Sequence, residues 1–385
     1  MLRNVSTCDI FILLGKSNGN LKVRTDLGET EKKMKRKCFL SVSKFLILIS
    51  VFFVAVAPSS FSQRKQNHNE LTLIGASYIP VGYDPYFFPG MKCFVDMVNE
   101  KGKGLVKLDM YWGGTLLSAN QLLPGLLAGC ADIVVVPSTY FAGTFPVLGI
   151  RSMPLWGNIK DSHRALKSDS PFAVFENEML KKKNIFQISA GGVIFEFLWT
   201  RDKKVQCPED MKGLKIRVSG KIQAKIVQTL GAIPVTLPSA ELPQALQRGV
   251  IDGAIINPWT AQGRGVEEYC KYLLIHPICG ISNSLFVLYD RWKKWPEDVR
   301  KLLLEVSVEH ENIMFESSNA LINDAQLYEE IIPFYESKGM QAVYISKENA
   351  QKFQNAVVPA INWWKTQVGD DTGDKVLRLI MKDEF

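Results

Sequence analysis

From residue 70 onward, the apolar positions switch repeatedly between the two-residue period of strands and the longer period of helices. Glu70–Ser77 is rich in Leu, Thr and Ile and predicts a strand, followed by a helix from about Pro89 to Lys101. Val106–Trp112 alternates cleanly, with Val106, Leu108, Met110 and Trp112 on one face and Lys107, Asp109 and Tyr111 on the other. A helix around Asn120–Ala128 and an apolar strand Asp132–Val136 come next. Continuous β-branched runs such as Ile133–Val136 suit parallel strands covered on both faces. The same grammar returns later: strand Leu214–Val218, helix Lys221–Leu230, strand Pro234–Leu237, helix Glu241–Arg248, strand Ala254–Asn257. This is α/β organisation.

The two blocks also share residues. Thr115-Leu116-Leu117-Ser118-Ala119 matches Thr236-Leu237-Pro238-Ser239-Ala240 at four of five positions, and Leu126, Gly129 and Asp132 match Leu246, Gly249 and Asp252 in the pattern L-x-x-G-x-x-D. Each unit ends a helix at a glycine able to take the left-handed conformation of a C-cap, then turns through Asp into a buried strand. A repeated unit predicts a two-lobed molecule. From Glu297 to Ile332 neither Gly nor Pro interrupts the chain, with Pro296 at the first turn and Pro333 closing the run. One helix of that length would extend ~54 Å, more than one small lobe needs; a break near Asn323-Asp324 would make it two.

Composition changes this picture at the N-terminus. Of 46 Lys+Arg and 39 Asp+Glu, residues 1–62 hold ten and four, leaving 36 against 35 for residues 63–385. A nearly neutral body carries no nucleic-acid footprint. Lys35, Arg36, Lys37 and Lys44 precede the apolar run Phe45–Ala57, which is shorter than the ~20 residues of a membrane span. Small residues around Ser60 and Ser62 complete a signal peptide at 34–62, with Met34 the expected start and Gln63 the expected mature N-terminus. Gly15, Ser17 and Gly19 spell the G-x-S-x-G of serine hydrolases, but ahead of a cleavable leader, where no strand and helix can frame it.

Enzyme constellations are absent from the rest. His68, His163, His276 and His310 stand singly, so no metal site is expected, and there is no Walker A loop. Gly102 and Gly104 begin a G-x-G that precedes a strand instead of opening a helix. Cys93, Cys130, Cys207, Cys270 and Cys279 form no C-x-x-C and read mostly as small buried hydrophobes. No catalytic residues and no cofactor are expected.

In open α/β sheets, ligands bind outside the carboxyl ends of strands. Two facing lobes would bring Ser77, Tyr78, Trp112, Ser138 and Tyr140 from one side and Arg217, Asn257 and Trp259 from the other to a common cleft with aromatic walls. In Leu214-Lys215-Ile216-Arg217-Val218 the apolar residues share a face, which puts Arg217 opposite them, near the strand's end. A guanidinium in a partly enclosed site demands an anion, and its planar fork matches a carboxylate. Taken by itself, the position is equally compatible with an exposed or Asp-paired arginine.

The stretch Pro208-Glu209-Asp210-Met211-Lys212-Gly213-Leu214-Lys215-Ile216-Arg217-Val218, then Leu230-Gly231-Ala232-Ile233-Pro234-Val235 and Ala245-Leu246-Gln247-Arg248-Gly249-Val250-Ile251-Asp252-Gly253, resembles the DctP-type solute-binding proteins of TRAP (tripartite ATP-independent periplasmic) transporters. The resemblance covers essentially residues 70–370. It implies a type II-like periplasmic-binding-protein fold with two α/β lobes, a hinge and a long lobe-spanning helix. It also implies a substrate carboxylate clamped by Arg217, with Asn257 facing the ligand. Many members carry a second arginine about twenty residues before the clamp, where this chain has Phe195-Glu196-Phe197-Leu198-Trp199. That departure argues against assuming a dicarboxylate or a sialic-acid-like ligand. An apolar or aromatic monocarboxylate fits better, or one bearing a group that Glu196 could pair; Glu196 is equally compatible with a solvated or hinge residue.

The expected organisation is thus a leader at 1–62, lobe I at 63–187, lobe II at 188–277, and a return strand with long and C-terminal helices at 278–385. The expected function is periplasmic capture of a small organic acid and its delivery to TRAP permease subunits by a monomer without chemistry. The ligand is expected to meet Arg217, Asn257, Tyr78, Glu196, Ser138 and Tyr140, with Trp112, Trp199 and Trp259 as apolar wall. A sensor module presenting the acid to a receptor, or an exported hydrolase, are the alternatives.

Overall fold

A computed structural model describes residues 70–82, 87–155, 165–191, 193–322 and 327–381. The expected leader, its G-x-S-x-G, His68, His163 and Asn323-Asp324 lie outside these residues.

Eleven strands among the described residues form two sheets. The first contains β1 (Leu71–Ser77), β2 (Val106–Tyr111), β3 (Ile133–Pro137), β4 (Ile185–Ala190) and β10 (Asn283–Leu288), in the order β2-β1-β3-β10-β4. The second contains β5 (Ile194–Thr200), β6 (Lys215–Val218), β7 (Ile233–Thr236), β8 (Gly253–Ile256), β9 (Tyr272–Ile281) and β11 (Gln341–Val343), in the order β11-β9-β5-β8-β6-β7. In each, three parallel strands meet an antiparallel one: β3 against β10, β8 against β5. The central strands β3 and β8 are buried throughout, as their unbroken apolar sequences require. The edges are marked differently: Lys107 and Asp109 pair on β2, and Pro234, which has no N–H to donate, sits on β7.

The sequence repeat is a structural one. Gly129 (φ 75°) and Gly249 (φ 65°) both end their helices in the left-handed region, where a β-carbon would be strained. Three residues on, the Asp132 and Asp252 carboxylates accept the backbone N–H groups of Ile74 (2.9 Å) and Lys215 (2.8 Å). Their own N–H groups donate back to the carbonyls of those residues at 2.7 Å. The same reciprocal brace thus joins β3 to β1 and β8 to β6. It explains why Leu, Gly and Asp recur at that spacing.

The chain crosses between sheets from Ala190 to Ile194 and returns from Ile281 to Asn283. The crossings are tied together: Gly191 N–H donates to the Asn283 carbonyl (2.8 Å), and Ser282 Oγ donates to the Gly191 carbonyl (2.8 Å). Ser138 adds a third strut, donating both its N–H (2.9 Å) and its hydroxyl (3.1 Å) to the Ser282 carbonyl. These short extended links form the hinge of a two-lobed fold.

The long run after Pro296 is described on either side of residues 323–326. It forms an α-helix Glu297–Ile322, then a π turn Leu327–Ile331 and a helix Ile332–Ser337, with Pro333 inside the first turn of that helix instead of closing the run. Helix Glu297–Ile322 lies along β4 through polar contacts: Ser307 Oγ donates to the Ile188 carbonyl (2.5 Å), and the Glu311 carboxylate accepts from Ser168 and Ala190 N–H groups (3.0 and 3.1 Å). A second long helix, Lys347–Val368, packs on helix Lys221–Thr229 of the second lobe and on the segment Pro146–Ser152 of the first, where buried Trp364 donates to the Pro146 carbonyl at 2.7 Å.

Candidate ligand-binding site

Strand geometry brings the carboxyl ends of the parallel strands in both sheets to a shared cavity. It measures about 380 Å³ including its mouth. Tyr78 and Ile79 follow β1, Pro137 ends β3, and Tyr140 lies on the short helix Ser138–Phe141. Arg217 and Ser219 come from the end of β6, and Ile256 and Asn257 from the end of β8. Glu196, Ile281 and Asn283 enter from the hinge strands. The lobes touch at its rim: Thr139 Oγ1 donates to Ser219 Oγ (3.1 Å), whose own proton goes to Gln223, and Ser239 N–H donates to Tyr140 Oη (3.2 Å). Gly220 belongs here because a β-carbon would stand 2.5 Å from the Thr139 carbonyl oxygen across the cleft.

Arg217 is 2% exposed. Two backbone carbonyls aim it: Nε donates to Leu237 (2.9 Å) and Nη1 to Ile255 (3.2 Å). Neither carries a formal charge, and among the described residues no carboxylate lies within the 4 Å of an ion pair. Nη2 therefore has no protein partner among these residues, although a buried guanidinium is costly without an anion.

Glu196 is also buried. Its Oε2 accepts from Gln223 Nε2 and from the Cys279 thiol (3.5 Å), while Oε1 is buried with no partner among the described residues. Gln223 in turn accepts from Ser219 N–H and hydroxyl, both at 2.8 Å, which fixes its amide orientation. Burial pushes the Glu196 carboxyl up to about 7, against the opposing pull of the Arg217 charge and the bonds from Cys279 and Gln223. Cys279 is driven well above its usual range by burial and by Glu196 beside it.

The raised Glu196 value has a stability consequence of definite sign. The native state holds this proton more tightly than the unfolded chain, whose carboxyl ionises near 4.5, so its contribution is greatest below that pH and declines as pH rises toward 7. The loss is on the order of 3 kcal/mol. Glu196→Gln removes it: urea midpoints should nearly coincide with wild type at pH 5 and favour the variant at pH 8. Parallel midpoints at both pH values would refute the assignment.

Of the residues singled out from sequence, Tyr78, Tyr140, Glu196, Arg217 and Asn257 line the cavity. Tyr78 and Tyr140 stack at 5.4 Å. Asn257 also caps helix Pro258–Gly263, its Oδ1 accepting the Thr260 N–H (2.9 Å) and its Nδ2 donating to Thr260 Oγ1 (2.9 Å). Ser138 is turned to the hinge. The three tryptophans expected as wall do not line the cavity. Trp199 stands three residues from Glu196 on one strand, hence on the opposite face, where it packs on Tyr335 and donates to the Ile256 carbonyl (2.9 Å). Trp259 faces Phe197, Leu327 and Ile331. Trp112 sits half-exposed beyond β2.

Asn283 is a cavity residue that sequence reasoning missed. It is 2% exposed, lines the cavity, and its Oδ1 is buried without a partner. No motif announces it; only the crossing of β9 into β10 places it there. Cys130, Cys207, Cys270 and Cys279 are free thiols, and among the described residues no cluster of His, Cys, Asp and Glu could hold a metal.

The model of the bacterial extracellular solute-binding protein family 7, DctP, matches residues 85–367. The chain belongs to this family. A solute-binding protein of Albidiferax ferrireducens is 28% identical over 274 residues, 68% of this chain and 76% of the relative. A monocarboxylate 2-oxoacid-binding periplasmic protein of Nostoc is 24% identical over 244 residues, 62% and 66% of the two chains. A TRAP periplasmic solute binding protein from Rhodoferax ferrireducens, solved with bound malonate, superposes with TM-score 0.70 at 25% identity, covering 80% of this chain and 97% of its own. DctP7 of Bordetella pertussis, an extracytoplasmic solute receptor binding pyroglutamic acid, gives TM-score 0.71 at 19% identity over 80% and 99%. The two sheets joined by two crossings are thus the two-lobed fold of TRAP solute-binding proteins.

Proposed function

We propose that this DctP-family protein captures a small organic acid between its lobes, with Arg217 holding the carboxylate, and hands it to the membrane subunits of a TRAP transporter. The observation that carries this reading is the buried Arg217, which lines the cavity and has no carboxylate within ion-pair distance among the described residues. A ligand carboxylate supplies the missing charge and accepts in line with the fork. Contacts from both lobes then favour the closed arrangement by differential affinity. Tyr78 and Tyr140 form a stacked wall, and Asn257 lies beside them as a polar neighbour. The named cargoes of similar proteins, malonate, pyroglutamic acid and 2-oxoacids, are all carboxylates, which supports the class without choosing the member. The working site is extracytoplasmic, reached through the leader expected at residues 34–62, and its role is binding without turnover.

A thermal-shift panel of mono- and dicarboxylates tests this directly. A ligand present at a hundred times its Kd stabilises the native state by about 2.7 kcal/mol, a shift of several degrees. If no organic acid raises the melting temperature while neutral sugars or amines do, the reading is wrong.

A further inference from the structure

The cavity holds more information than its cation. Among the described residues that line it, Arg217 and Glu196 are the only ones with a formal charge, and two buried acceptor oxygens, Glu196 Oε1 and Asn283 Oδ1, have no partner. An unsatisfied buried acceptor is expensive, so a complementary ligand offers donors to these oxygens as well as a carboxylate to the arginine.

We propose that the site selects a monocarboxylate bearing a hydroxyl or N–H group, with Arg217 taking the carboxylate and Glu196 Oε1 and Asn283 Oδ1 accepting from the donor, and that Glu196 excludes a second carboxylate. This rests on the Arg217 reading above and specifies the cargo class. A dicarboxylate would bring two negative charges to a single arginine and press one of them against a buried carboxyl group. Like charges at such separation cannot both persist in an enclosed site, so a dicarboxylate binds only with a proton shared at Glu196. A donor-bearing monocarboxylate needs no such proton and is favoured by the ionised form.

The groups around Glu196 support a single controlling titration. Gln223 from helix Lys221–Thr229 and Cys279 from β9 bond to it and Arg217 from β6 acts on it by charge, while Asn283 from β10, Tyr78 and Tyr140 line the same cavity. The thiol of Cys279 is held protonated by burial and by Glu196 beside it. His276 lines a separate cavity with Phe195 and Phe353.

The test is calorimetry on the purified protein with matched pairs that differ only in the donor: lactate and propionate, 2-hydroxyisovalerate and isovalerate, mandelate and phenylacetate. Succinate serves as the dicarboxylate. The hydroxy acid of at least one pair is expected to bind about tenfold or more tightly than its partner. Between pH 6 and 8, succinate affinity should fall about tenfold while hydroxy-acid affinity holds or rises, following the ionisation of Glu196. Glu196→Gln, which preserves shape, should remove both slopes and improve succinate binding. Equal affinity within every pair, or succinate binding that is tight and independent of pH, overturns the proposal and leaves the Arg217 reading standing. So does a hydroxy-acid affinity that vanishes on exchanging sodium for choline in the presence of a chelator, because the oxygens would then serve a cation. Failure of all these acids to bind, with Arg217→Ala behaving as wild type, overturns both readings.

Discussion

Replacing Arg217 with alanine will reduce affinity for the carboxylate that stabilises the wild-type protein by roughly a hundredfold or more. Truncating one partner of a buried, hydrogen-bonded charge pair costs about 2–5 kcal/mol, much of it from leaving the other charge unpaired. The ligand carboxylate would then sit in a cavity where, among the described lining residues, the remaining acidic side chain is Glu196, of its own sign. Arg217→Lys separates charge from geometry. A lysine keeps the cation but cannot reproduce the fork that holds the Leu237 and Ile255 carbonyls, so it should recover only part of the affinity. Calorimetric titration of both variants, each first shown by circular dichroism to be folded, decides the matter. Wild-type affinity in the alanine variant would remove Arg217 from the site.

Glu176→Ala should be the most damaging substitution for stability outside the cleft. Glu176, on helix Pro171–Lys181, and Arg151, on the segment Pro146–Ser152, are both fully buried and meet in a fork: Nε to Oε1 at 3.2 Å and Nη2 to Oε2 at 2.6 Å. The guanidinium also lies 5.5 Å from the centre of the Phe172 ring, and its Nη1 has no partner among the described residues. Removing the carboxylate strands a buried positive charge, a loss of about 3–5 kcal/mol. For a chain of this size the melting temperature should fall by on the order of 10 °C. The paired replacement Arg151→Met with Glu176→Leu removes both charges and should cost much less than the single change. A single variant within about 1 kcal/mol of wild type would show that water reaches the pair.

These two arginines mark the limits of reading the chain in one dimension. Arg217 was legible because it sits at a fixed place in an ordered series of motifs, between a strand's apolar face and the turn that follows. Nothing local distinguishes Arg151. Its partner lies 25 residues away on another element, and pairing across that distance depends on how the segment Pro146–Ser152 packs against a helix. Glu196 is intermediate. Its oddity against the family pattern was visible, but its orphaned oxygen and its contact with Gln223 required β5, β9 and helix Lys221–Thr229 to be assembled. The tryptophans show the opposite error. Large aromatics near strand ends look like ligand walls, yet Trp199 and Trp259 are large enough to be needed in the packing behind the site, and strand parity settled which way Trp199 turned.

By itself the sequence determined the alternation of strands and helices, the repeated Leu, Gly and Asp unit, and the family. Those follow from local rules: the period of apolar residues, the tolerance of glycine for positive φ, and one carboxylate placed to bridge two neighbouring strands. Only the tertiary structure decided that Asn283 lines the cavity, and that Arg217 and Glu196 share one chamber without forming an ion pair. Those outcomes depend on where two hinge strands cross, which brings together residues as far apart as Tyr78 and Asn283, 205 positions, and no local period encodes such a distance.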